Sequence, residues 1–154
     1  MSAQTIIEFW RAHLIGITNP LIHFVPGDAL DLGALQKTSG EQRFALFTTD
    51  AQSAHSAAHL MGALATAMGI PRYVQGNWDV FLDLARDLSW NKAKGYILIL
   101  SNADSLLSLP NNGFSVLLEV LEATIREWRD SRGEYGERTG PIPFHVIFSG
   151  SSPL

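Results

Sequence analysis

The chain contains no cysteine. That absence removes a disulfide framework, a thiolate nucleophile and every cysteine-type zinc site at once. It suits a reducing compartment. Charge is also sparse: 17% of the 154 residues are Asp, Glu, Lys or Arg, and their balance is −4. A chain of that sign lacks the basic patch that general nucleic-acid binding needs, so no direct contact with nucleic acid is expected. No apolar run approaches the roughly eighteen residues that span a bilayer. Residues 1–25 show neither a basic leader nor a creditable small-residue cleavage site. A cytoplasmic protein without a membrane partner is the expectation.

Phosphate loops and nucleophile elbows are lacking too. Neither GxxxxGK[ST] nor GxGxxG stands between a strand and a helix. Gly150-Ser-Ser-Pro153 trails the last strand-like segment and opens no helix. His55 and His59 stand four apart, but they lack the glutamate of HExxH and a third ligand. No metal or other cofactor is therefore expected. His23 and His145 alternate with apolar residues, the pattern of hydrogen-bonded structural histidines.

What is present is material for a core. Hydrophobic residues make up 46% of the chain, as in ordinary globular domains. A single domain of this length buries roughly two thirds of its unfolded surface. Residues 1–42 read as a separate small unit. A helix capped by Ser2 carries Ile6, Phe9, Trp10 and Leu14 on one side, and Asn19-Pro20 ends it. A short strand over 21–25 stops at Pro26-Gly27, a helical turn or two follows over 29–37, and 38–41 reads as a connector.

Residues 43–150 form the main domain. Its order is a strand over 44–49, a helix capped at Ser53, a helix over 77–88 and a strand over 96–100. A short helix over 104–109, a long amphipathic helix over 113–132 and a strand over 144–149 complete it. A continuous apolar strand flanked by helices marks a parallel sheet. With right-handed crossovers, this order predicts an α/β fold with a small, parallel, three-stranded sheet packed with helices, plus an N-terminal α/β extension.

Residues 69–88 carry the most specific signal. Gly69 and Pro71 stop one helix, and Asn77 is suited to cap the next. Trp78, Phe81, Leu82, Ala85 and Leu88 then recur at helical spacing. Asp79, Asp83 and Asp87 fall at i, i+4 and i+8 on another face. Like charges so placed repel by about 0.2–0.5 kcal/mol per pair. The plain alternative is a solvated face, since the macrodipole favours Asp79 and Arg86 can pair with Asp83. Acid–base catalysis is not expected, because carboxylates one turn apart on an exposed face ionise alike. The chain is not expected to be an enzyme.

Pro71-Arg-Tyr73, Gly76-Asn-Trp-Asp79 and Leu82-Asp83, followed by the apolar strand 96–100, resemble the barstar family of barnase-type ribonuclease inhibitors. The resemblance covers about residues 43–149 and includes the order of elements. It implies an intracellular inhibitor whose loop and acidic helix plug the active site of a basic ribonuclease or nuclease toxin, an immunity-type role. Tyr73 matches the family's loop tyrosine, Asn77 its helix-start asparagine, and Asp79 and Asp83 its acidic helix positions. Asp83 matches the carboxylate that occupies the nuclease's phosphate site. Gly76 and Asp87 complete the expected partner-binding set. The alternative is a non-inhibitory binding module of the same fold that recognises another basic protein. The chain departs from the family's pattern in places. Val74 replaces an aromatic, Gln75-Gly76 stands where the loop glycine is expected, Leu82 replaces a helix aromatic, and no acid occurs at 110–112.

Overall fold

The computed structural model describes residues 21–25, 30–71, 76–130 and 142–150. Its centre is a sheet of β1 (Ile22–Val25), β2 (Phe44–Asp50), β3 (Gly95–Ser101) and β4 (Phe144–Ser149), all parallel and ordered β1-β4-β3-β2. Around it lie α1 (Leu32–Gln42), α2 (Ala57–Ala67), α3 (Trp78–Ala85) and α4 (Gly113–Asp130). Two 3-10 turns, Ala51–Ser53 and Ala103–Ser108, follow β2 and β3.

The sheet has four strands where three were expected. The segment read as part of an extension adds to the edge of β4, with Ile22 opposite Val146 and Val25 opposite Ser149. The Val146 N–H donates to Leu21 O at 2.9 Å and the Gly150 N–H to Val25 O at 3.3 Å. An edge strand leaves a row of unpaired N–H and C=O groups, and this short apolar segment satisfies part of it. The parallel α/β expectation stands.

Alternation along the strands explains the continuous apolar run over 96–100. Tyr96, Leu98, Leu100, Phe144, Val146 and Phe148 face one way, against Leu60 and Leu64 of α2, Phe81 of α3, and Leu117, Leu121 and Trp128 of α4. Ile97, Ile99 and Ile147 face the other way, where Leu35 of α1 joins Phe44 and Leu46. Both faces are covered, so β3 shows no polar alternation over 96–100. Gly95 lies opposite Phe44, and a Cβ there would sit 2.5 Å from the Phe44 ring.

The bounds of β1, β2, β3 and the 3-10 turn after β3 shift by a residue from the sequence reading, and three helix boundaries differ for reasons of capping and packing. Residues 38–41, expected as a connector, belong to α1, which Asp31 caps by accepting from the Ala34 N–H at 2.9 Å. The weak helix formers Thr38, Ser39 and Gly40 are carried by packing, with Ser39 buried. The cap of α2 is Ser56 and not Ser53, its Oγ accepting from His59 N–H at 3.1 Å. Asp50 caps the intervening 3-10 turn first, which delays the helix. Finally, α3 ends at Ala85 instead of continuing to 88: the Arg86 and Leu88 N–H groups close the last turn, and Leu88 turns to φ 43°.

Candidate partner-binding face

The face begins where α2 stops. Gly69, at φ 65°, donates to Thr66 O while Ile70 N–H reaches Ala65 O at 2.9 Å, the paired bonds of a Schellman stop. Tyr73, with Arg72, Val74 and Gln75, lies outside the described residues. The chain re-enters at Gly76, whose φ of 72° suits glycine alone without strain. A Cβ at Gly76 would also meet the Ala58 Cβ at 3.3 Å. Gly76 thus fits the start of α3 against the first turn of α2, a backbone role.

Asn77 is the expected cap. Its Oδ1 accepts from Asp79 N–H at 3.0 Å and Val80 N–H at 3.3 Å. Such a cap contributes about 1 kcal/mol. Phe81, Ala85 and Leu88 are buried, and Trp78 meets Phe81 edge-on at 5.5 Å. At the far end, the buried Trp128 indole N–H donates to Ala85 O at 2.9 Å. That bond satisfies a carbonyl that a helix terminus would otherwise leave open. A two-turn helix is marginal alone; the cap, the buried apolar side and the Trp128 bond hold this one in place.

Asp79 and Asp83 are exposed on the outer side of α3. The Asp83 side chain is 63% exposed, and its Oδ1 accepts from Arg86 Nη2 at 2.7 Å. Arg86 Nη1 also stands 3.8 Å from Glu127 on α4. The Arg86 side chain is only 24% exposed, so the pair lies at the edge of the helix packing and not wholly in solvent. The expected stripe of three aspartates shortens to two on the helix, because Asp87 falls past the C-cap. There it accepts from Ser89 Oγ at 3.2 Å. The helix ends before the periodicity does.

His55 and His59 stack at 5.7 Å on the exposed side of the α2 start. Among the described residues no group of three His, Cys, Asp or Glu could hold a metal. One arrangement escaped the sequence reading. Asp50, at the end of β2, accepts from Asn102 Nδ2 at 2.9 Å and Gln52 N–H at 2.8 Å. The Asn102 bond, then the Gln52 bond, hold its carboxyl below the usual carboxylate range. It ties the ends of β2 and β3 across 52 residues, a separation that no local spacing signals.

The face therefore presents two carboxylates, Asp79 and Asp83, exposed on a helix fixed to the core. The family model for barstar, the barnase inhibitor, matches residues 44–147. The chain belongs to the barstar family. The match spans β2 through most of β4 and so contains the whole of α3. Barstar is an inhibitor family, not an enzyme family. No curated protein matches the sequence. Among solved structures, this barstar-family chain is similar to the Aeropyrum pernix ORC2 protein in its ADPNP–ADP complexes. The TM-score is 0.52 and the identity 15%, over 97% of this chain and 40% of that one. That likeness concerns the fold alone. No helix among the described residues is long and apolar enough to cross a membrane.

Proposed function

We propose that this chain inhibits a basic ribonuclease inside the cell by seating the outer side of α3 in the enzyme's active-site cleft. The observation that carries the reading is barstar-family membership of a segment in which Asp79 and Asp83 stand exposed on a helix fixed to the core. A cleft that binds a phosphodiester is cationic, and a carboxylate can replace the phosphate through charge-assisted hydrogen bonds. A helix held in place beforehand loses little conformational freedom on docking. The acidic sign also speeds encounter with a basic partner, most strongly at low salt.

Asp83 is assigned the central anion and Asp79 the second, with Tyr73, Gly76 and Asn77 shaping the contact and Asp87 at its margin. The inhibitory domain is placed in residues 43–150, with 1–42 as an extension. Binding requires Asp83 to share or release Arg86; the Asp83 side chain is 63% exposed, so water replaces part of that bond.

A second reading has one observation in its favour. Asp83 already carries an arginine of its own at 2.7 Å, which offsets the charge assigned to phosphate mimicry. A binding module that recognises another basic protein would tolerate that pairing. Titrating a barnase-type ribonuclease with the full chain and following RNA hydrolysis separates the two. Stoichiometric inhibition that weakens with added salt supports the inhibitor. Undiminished hydrolysis in excess folded chain rejects it, and binding without inhibition favours the module.

A further inference from the structure

On the side of the sheet away from α2, α3 and α4, a half-open cavity of about 220 Å³ lies between α1 and the strands. Leu35, Phe44, Ile97 and Ile147 give it apolar walls. His23 and His145 line it as a pair, with His23 Nε2 at 3.1 Å from His145 Nδ1 and the rings stacked at 5.4 Å. Ser39 also lines it. That residue is 4% exposed, and its Oγ has no hydrogen-bond partner. A serine within a helix ordinarily turns its hydroxyl back to the carbonyl four residues earlier, as Thr66 does to Gly62 at 3.0 Å. Ser39 does not, and a buried hydroxyl without a partner calls for one.

The lining restricts what can bind. Thr38 and Gln42 also line it, and among the described residues no Asp, Glu, Lys or Arg faces the space. Among these residues an anion finds no cation, and a cation finds no carboxylate. Two imidazoles alone are too few for a stable metal site. Burial pushes both histidines below their ordinary range, and for His145 the neighbouring His23 adds to the effect, which favours neutral rings. The space, about 220 Å³ and open to solvent past the exposed Thr38 and Gln42, has room for one aromatic ring, which occupies an apolar cavity of roughly 150 Å³ elsewhere.

We propose that this cavity binds a small uncharged molecule with a flat apolar body and one hydroxyl, a phenol-class ligand. Its ring lies against Phe44, Ile97 and Ile147, and its hydroxyl meets Ser39 Oγ. The site is separate from α3 and does not rest on the inhibitor reading.

Phenol, benzene and benzoate, titrated into the full chain while the His23 and His145 ring signals and the Ile97 and Ile147 methyl signals are followed by NMR, test this directly. Phenol is expected to give saturable shifts at those residues and to bind about fivefold tighter than benzene, the gain of one net hydrogen bond. Benzoate is expected to bind more weakly than either. Ser39→Ala, with its Leu98 methyl signal unchanged as a check on folding, is expected to erase the phenol advantage while leaving benzene binding intact. Leu35→Trp fills the space and is expected to abolish both. Absence of saturable shifts with phenol, equal binding of phenol and benzene, or an undiminished phenol advantage in Ser39→Ala would each overturn the proposal.

Discussion

Among the described residues, the two faces of the sheet are covered unequally. On one, α2, α3 and α4 enclose a continuous core that includes Tyr96, Leu98, Leu100, Phe144, Val146 and Phe148. On the other, among the described residues, α1 covers Ile97, Ile99 and Ile147, and a cavity holding a histidine pair and an unpartnered serine hydroxyl remains. The first face makes a rigid mount for an exposed acidic helix. The second keeps polar groups within an apolar layer, where small changes of packing or protonation are felt. A closed apolar core and a layer that holds polar groups are thus divided between the faces of one sheet, with the strands' alternation as the divider.

The largest test of that division is in the cores. Phe81→Ala removes a fully buried ring from under α3 and is expected to lower stability by about 3–5 kcal/mol. Ile99→Ala, on the thinner side, is expected near the low end for its class, about 2–3 kcal/mol. Denaturant unfolding of both variants measures the gap; equal losses would mean that the faces are not unequal in packing. Next comes the mount itself. Asn77→Ala removes the side-chain acceptor for two N–H groups and is expected to cost about 1 kcal/mol, while Asn77→Asp restores most of it.

The smallest effect belongs to the histidine pair. Burial first, and for His145 also the His23 neighbour, lowers both pKa values in the folded chain. Between the folded and unfolded values the unfolded chain binds more protons, so stability rises with pH through that window. The contribution is complete above the ordinary histidine value of roughly 6.5 and is lost as pH falls through the lowered folded values. A modest fall in Tm on going from pH 7.5 to pH 5.5 is expected, reduced in His23→Gln. A pH-independent Tm over that range would remove the pair from the comparison.

The thick face was legible in the sequence because its signals are local. The run over 96–100 has no polar interruption, α4 repeats its apolar residues over eighteen positions, and Gly69, Pro71 and Asn77 punctuate the chain between α2 and α3. The thin face was less legible because tertiary choice decides it. Nothing in residues 21–25 says which edge they join, and the register with β4 across more than a hundred residues supplies that answer. Thr38-Ser-Gly-Glu41 has the composition of a connector, yet packing of Leu35 and Ser39 against the sheet carries the helix through it. Asp87 shows the opposite failure. Its i+8 spacing continues a pattern that the backbone has already left, since burial of Leu88 at a positive φ ends α3 first. Asp79 and Asp83 share the outer side of α3 as their spacing predicts, and Tyr73 lies outside the described residues.

The division of labour predicts that inhibition depends on one face only. The most direct test is a ribonuclease inhibition titration comparing wild type, Asp83→Ala on α3 and Glu41→Ala on α1, both sites being exposed. The expected result is stoichiometric inhibition by wild type and Glu41→Ala, with Asp83→Ala weaker by about 2 kcal/mol or more, roughly thirtyfold. Equal inhibition by all three proteins, or a loss confined to Glu41→Ala, would contradict the assignment of the inhibitory surface to α3.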